Sequence, residues 1–200
     1  METWDRSRGK RAIFIGSSVC VGEGASDHYG WSARVAERMR RNGWSCTNCA
    51  IGGQRTADIL ARIWRDVIVH QPAVCFIGLG LANEGLIRAE DPMLPYHVFL
   101  GNLKDLVDRL HKAGIFVVLG GVYPNGEIAP ERHQLVLEAD RIMDTWGVPV
   151  IHWLSALATE EGRFLPGLMH DPYHPNDAGY ARMAAQVPDS IWALLECSQP

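Results

Sequence analysis

The sequence has 200 residues, 47% of them hydrophobic and 21% charged, with 19 basic and 23 acidic side chains and a formal net charge of −4. This length and composition suit one domain, expected over residues 1–200 with its core at about 11–195, and exclude disordered and fibrous classes. A net negative charge gives no general attraction to nucleic acid or to an anionic membrane, so neither is expected as a partner.

The charge is uneven, with 11 basic and 6 acidic side chains in residues 1–65. Much of that excess is Arg38, Arg40 and Arg41, just before Asn42-Gly43, where cations oppose the negative end of a helix dipole. The first apolar run, Ala12 to Ile15, is too short for a secretory leader, and no stretch reaches the roughly 18 to 20 apolar residues of a membrane span. A cytoplasmic location is expected. The five cysteines are odd in number and irregularly spaced, which favours reduced thiols over a disulfide framework.

In chain order, five short apolar runs alternate with segments of helical period. Arg11 to Gly16 reads as the first buried strand. Trp31 to Arg41 follows as a helix with Trp31, Val35 and Met39 on one face, closed by Asn42-Gly43. A second strand is expected over Trp44 to Ile51. A helix then starts at Thr56 as N-cap and turns Ile59, Ile63 and Val67 inward with Leu60 and Trp64 beside them. Strand three covers Ala73 to Gly80, helix three Pro95 to Ala113, strand four Ile115 to Gly120, and helix four Pro130 to Trp146 with Leu135, Ile142, Met143 and Trp146 inward. Val148 to Trp153 is the fifth strand, and Asn176 to Leu195 is helical in two pieces divided at Pro188. Strand and helix alternating in this way predict an α/β fold: a three-layer α/β/α, doubly wound, flavodoxin-like sheet of five parallel strands.

Such sheets bind ligands beyond the carboxyl ends of their strands, so the residues after each run are read first. These are Gly16-Ser17-Ser18, Gly52-Gly53-Gln54, Leu81-Ala82-Asn83-Glu84 and, near the C-terminus, Asp171 to Asn176. Ser18 offers a hydroxyl that becomes a nucleophile once a base takes its proton, and His174 is a suitable base. Asp171, three residues before it, is placed to orient the imidazole, which completes a triad. The backbone N–H groups of Ser18 and Gly53 and the side-chain amide of Asn83 are candidate donors to a developing oxyanion. Tyr123, Asn125, Met169 and Tyr173 are candidate pocket residues by position.

These segments resemble the blocks of the SGNH hydrolases, or GDSL-type esterases. Ile15-Gly16-Ser17-Ser18 is similar to block one, Ala50-Ile51-Gly52-Gly53-Gln54 to block two, Ala82-Asn83-Glu84 to block three, and the run from Asp171 to Tyr180 to block five. The resemblance implies a serine hydrolase fold with Ser18, Gly53, Asn83 and His174 as the family's four marker residues. This chain departs from the pattern at Ser17, where the family usually has aspartate. It also departs at Leu81 and Glu84, where block three usually has glycine and aspartate.

The expected activity is hydrolysis of a short-chain acyl ester, acetyl above all, of a sugar or small metabolite. Two rivals stay open: an acyltransferase using the same triad, and a binding module that kept the fold but lost catalysis. No organic cofactor or metal is expected, since Asp171, His174 and the adjacent His170 lack the further ligands of a metal site. Cys46 and Cys49 have CxxC spacing but should point to opposite faces of a strand, Cys20 reads as a small packing residue, and Gly22 and Gly24 form no nucleotide motif. The oligomeric state is not legible.

Overall fold

Strand β1 (Arg11–Gly16) is buried after its first residue, and its side chains alternate between two cores. Ala12 and Phe14 enter one, Ile13 and Ile15 the other, as the two-residue period of a strand covered on both faces requires. This computed structural model describes residues 6–196. After β1 come a one-turn helix α1 (Ser18–Val21), helix α2 (Trp31–Arg41) and edge strand β2 (Ser45–Asn48). Helix α3 (Thr56–Asp66), strand β3 (Val74–Gly78), helix α4 (Met93–Lys112), strand β4 (Phe116–Gly120) and helix α5 (His133–Asp144) follow. Edge strand β5 (Val150–Ile151), the short α6 (Leu154–Leu157), α7 (Asp177–Ala185) and α8 (Asp189–Glu196) complete the chain.

The five strands are parallel in the order β2-β1-β3-β4-β5. From β1 the chain crosses first to β2 and later to β3 on the opposite side, so the strand order reverses at β1, the position where such sheets bind ligands. One core lies under α2, α7 and α8 and holds Trp31, Trp153, Tyr180 and Met183; the other lies under α3, α4 and α5. Cys46 and Cys49 pack against opposite cores, as strand alternation requires. Cys20, Cys46, Cys49 and Cys75 are free thiols, and Cys197 lies outside the described residues.

The helices differ from expectation in instructive ways. Thr56 is the first helical residue of α3 and not its cap: its N–H donates to Glu84 Oε1 at 2.5 Å, and its hydroxyl accepts from Asn102 on α4. Trp64 is 68% exposed, because it sits about 100° around α3 from Ile63 and clears the sheet. On α5 the buried line is Val136, Ala139 and Met143, with Leu135, Ile142 and Trp146 only half-buried at its margins. At the end of α2, Arg38 pairs with Glu196 at 2.7 Å and stacks over Trp192, and Arg40 donates to the Cys46 carbonyl. Those cations serve the fold as well as the helix dipole.

Close approach of backbone sets the sheet's upper edge. A β-carbon at Gly16 would come within 2.0 Å of the Gly78 carbonyl oxygen and 2.8 Å of the Cys20 β-carbon. Neither neighbour has room to move, so Gly16→Ala should lower unfolding stability by ~2 kcal/mol or more. Urea unfolding would show this as an earlier midpoint at unchanged slope.

Candidate active site

Ser18 opens α1 directly after β1 and is 9% exposed. A helix start leaves its first N–H groups without intrahelical partners, so the Ser18 amide is available to an anion above it. The loop is held from below. Cys20 and Val21 N–H donate to the Ser17 carbonyl, while the Cys20 carbonyl accepts from Ser32 Oγ at 2.6 Å and Asn48 Nδ2 at 2.9 Å. Ser17 itself is fully buried and its N–H donates to the Gly78 carbonyl, but its hydroxyl lacks a hydrogen bond of normal geometry. Burial pushes the Cys20 thiol far up, so it is no competing thiolate.

Block five is a tight turn that folds Asp171 back onto His174. The Asp171 carboxylate accepts from the backbone N–H of Tyr173 at 2.7 Å and of His174 at 2.8 Å, and lies 2.9 and 3.0 Å from His174 Nδ1. Partial burial works against ionisation of this carboxyl, but the hydrogen bonds from the imidazole and those two amides outweigh it and hold the group below the usual carboxylate range. An ionised Asp171 only accepts, so Nδ1 donates to it and Nε2 is the ring nitrogen left to exchange a proton. The turn is pinned by Gly126 N–H donating to the Pro172 carbonyl at 2.7 Å and by Asn176, whose side chain caps α7.

The structure brings this turn against the loop that carries Ser18. A β-carbon on Gly24 would lie 3.0 Å from the His174 β-carbon and 2.6 Å from the Pro175 carbonyl oxygen, and Glu23 N–H donates to the Ser18 carbonyl. Among the described residues Ser18 Oγ and His174 Nε2 form no hydrogen bond; Nε2 instead faces Glu23 Oε2 at 3.5 Å. Catalytic hydrogen bonds in ligand-free proteins are often long and tighten only around substrate.

Gly53 takes left-handed backbone (φ 75°) with open space where a β-carbon would stand. Asn83 Nδ2 donates to the Gln54 carbonyl at 3.1 Å, which ties block three to block two and leaves the second amide proton free to point at a ligand. Glu84 accepts from the first N–H of α3 and Leu81 is buried in the core under α3 and α4, so the two departures in block three are absorbed structurally. Tyr123 and Asn125 are buried, with the Tyr123 ring beneath Gly80 and its phenol raised to about 12 by burial. Met169 and Tyr173 are exposed on the turn beside His174. Two residues that contribute here were not expected from the sequence. Glu23 stands beside Nε2, and Tyr180, although the last residue of block five, reaches back 157 positions to bond the Glu23 carbonyl.

Among the described residues no group of three or more metal-ligating side chains is gathered, and no helix is long and apolar enough to cross a membrane. The model of the GDSL-like lipase/acylhydrolase family matches residues 14–182. No curated protein matches the chain. Among solved structures, a lipase/acylhydrolase from Enterococcus faecalis is similar at TM-score 0.73 and 21% identity, covering 96% of this chain and 100% of its own. A GDSL-like lipase from Bacteroides thetaiotaomicron is similar at TM-score 0.71 and 21% identity, covering 96% and 92%. An acetylxylan esterase from Geobacillus stearothermophilus, in a catalytic-mutant form, is similar at TM-score 0.70 and 19% identity, covering 96% and 95%. At these identities the structures share a fold, and the family match extends over most of the sequence. The chain belongs to the GDSL-like lipase/acylhydrolase family and is a serine hydrolase acting on ester bonds.

Proposed function

We propose that the enzyme hydrolyses short-chain acyl esters, acetyl above all, of a sugar or small metabolite through Ser18, His174 and Asp171. The observation that carries this reading is the Asp171 carboxylate on His174 Nδ1, in a turn packed on the loop that holds Ser18. That contact engages Nδ1, so Nε2 is the nitrogen available to exchange a proton with Ser18 in this reading. In the reaction, Nε2 takes the Ser18 proton as Oγ attacks the acyl carbonyl, and the positive charge on the imidazolium is offset by Asp171. The tetrahedral oxyanion is received by the amides of Ser18 and Gly53 and by Asn83 Nδ2. Nε2 then gives its proton to the departing alcohol oxygen, leaving an acyl group on Oγ. Water, deprotonated by Nε2, attacks this ester, and collapse of the second tetrahedral species returns the proton to Oγ and releases the acid.

A short acyl group suits an open site. Gly53 has nothing within 4 Å of its would-be β-carbon, and Tyr173 and Met169 are exposed beside His174. Removal of an acetyl group from a sugar is also the activity of the acetylxylan esterase that shares the fold. The test is a 4-nitrophenyl ester series. The kcat/KM should peak at two to four acyl carbons and fall about tenfold or more by ten carbons; a peak at eight carbons or longer contradicts the short-acyl reading.

Asn83 has a further readout. Asn83→Ala should lower kcat by about 10²- to 10³-fold with KM little changed, because its amide bonds the oxyanion and not the ground-state ester. A loss confined to KM would place Asn83 in ground-state binding instead.

A further inference from the structure

One carboxylate in the site is used neither by the proposed reaction nor by the fold. Glu23 lies between Gly22 and Gly24, both in left-handed backbone at φ 96° and 89°. Its main chain is tied on both sides: its N–H donates to the Ser18 carbonyl at 3.1 Å, and its carbonyl accepts from the buried Tyr180 hydroxyl at 2.6 Å. So anchored, the side chain reaches both Gly52 and His174. Oε1 lies against Gly52, where a β-carbon would come within 2.2 Å of it, and Oε2 stands 3.5 Å from His174 Nε2. The side chain remains 40% exposed, and among the described residues no lysine or arginine pairs with it.

A carboxylate serving only the fold would be spent on a cation or on backbone N–H groups, as Asp58, Asp66 and Asp177 are here. Glu23 is spent on neither. It borders the nitrogen that protonates the departing alcohol, and the alcohol's own substituents must therefore lie within a few ångströms of Oε1 and Oε2. Resting on the serine-esterase reading above, the geometry points to Glu23 as a specificity-determining residue for the alcohol part of the ester. Its carboxylate accepts hydrogen bonds from ammonium or hydroxyl groups near the ester oxygen, and it repels alcohols that carry a carboxylate or phosphate there. Gly52 is part of the same device, since any side chain at that position would displace the carboxylate.

The test compares kcat/KM for two phenyl acetates, one bearing a trimethylammonium substituent and one a carboxylate, in the wild type and in Glu23→Gln. The ratio of the two values is taken within each protein, so the folded fraction cancels, and intrinsic ester reactivity cancels when the ratios of the two proteins are compared. The wild type should favour the cationic ester relative to the uncatalysed hydrolysis rates, and Glu23→Gln should cut that preference about tenfold, the scale of partly solvated charges a few ångströms apart. A ratio within twofold of wild type overturns the assignment. So does a shifted pH–rate profile with the ratio unmoved, which would make Glu23 a modulator of the imidazole alone. Ser18→Ala run on the same esters separates the two readings. If it is inactive while the ratio in Glu23→Gln stays put, only the specificity assignment falls; if it turns over like the wild type, the esterase reading itself fails.

Discussion

Ser18→Ala is expected to reduce turnover of an activated acetyl ester by about 10⁴-fold or more, a loss of roughly 5 kcal/mol of transition-state stabilisation. No other group stands ready to replace the hydroxyl. Cys20, two residues on, is fully buried, its thiol is held protonated, and it points into the core with Phe14 and Trp31. The substitution should leave the fold intact, since the loop is fixed by the Ser17 and Cys20 carbonyls and by Asn48 and Ser32, none of which involves the Ser18 side chain. Residual activity should come from the oxyanion donors alone, and steady-state kinetics with 4-nitrophenyl acetate would measure it. Activity within tenfold of wild type would mean that another residue attacks the ester.

His174→Ala should cost a similar factor, and Asp171→Asn less, on the order of 10²- to 10⁴-fold in kcat. The difference follows from the geometry. Removing the imidazole takes away both the base for Ser18 and the acid for the leaving alcohol. Replacing Asp171 keeps the ring but turns a donor towards Nδ1, which then accepts and leaves the proton on Nε2, the wrong nitrogen for a base. The asparagine must also satisfy the Tyr173 and His174 amides that Asp171 now holds, so its carbonyl is committed there and its NH₂ is turned towards Nδ1. Single-turnover kinetics across pH would separate the two variants. A double variant no worse than His174→Ala would show that Asp171 acts through the imidazole, whereas additive losses would assign it an independent role.

What the sequence discloses about this fold is what local chemistry dictates. β1, β3 and β4 are unbroken apolar runs because both faces are covered, and their limits can be read to within a residue or two. The edge strands are shorter than their apolar runs. The run from Trp44 to Ile51 pairs as a strand only over Ser45–Asn48, and that from Val148 to Trp153 only over Val150–Ile151. β2 ends while its neighbour β1 runs on to Gly16, and as an edge strand it is mostly exposed, so the sequence run marks its place but not its length. The inward line of α5 fell on Val136, Ala139 and Met143 because the sheet selects the face, and the bulkier Leu135, Ile142 and Trp146 were left at its edges.

The same division holds in the site. Three residues of separation around a proline allow the turn in which Asp171 is found on His174, and block order suggests Ser18, Gly53 and Asn83. Glu23 was not legible. Its direction depends on two successive left-handed glycines and on a hydrogen bond from Tyr180, all of them tertiary facts. An acidic residue between two glycines, five positions after a candidate nucleophile, was the only signal the sequence carried. Tyr123 follows β4 as its place in the sequence implies, and its buried ring packs against Gly80, a contact the sequence does not disclose.

The account rests on Ser18 being a hydroxyl activated by His174. The most direct test is to treat the protein with a fluorophosphonate and locate the adduct by peptide mass mapping. The expected result is one phosphonyl group per chain, on Ser18 and not on Cys20, with labelling slowed at least a hundredfold in His174→Ala, the scale of general-base assistance. Folded protein that takes up no label, or takes it up at another residue with Ser18 unmodified, would contradict it.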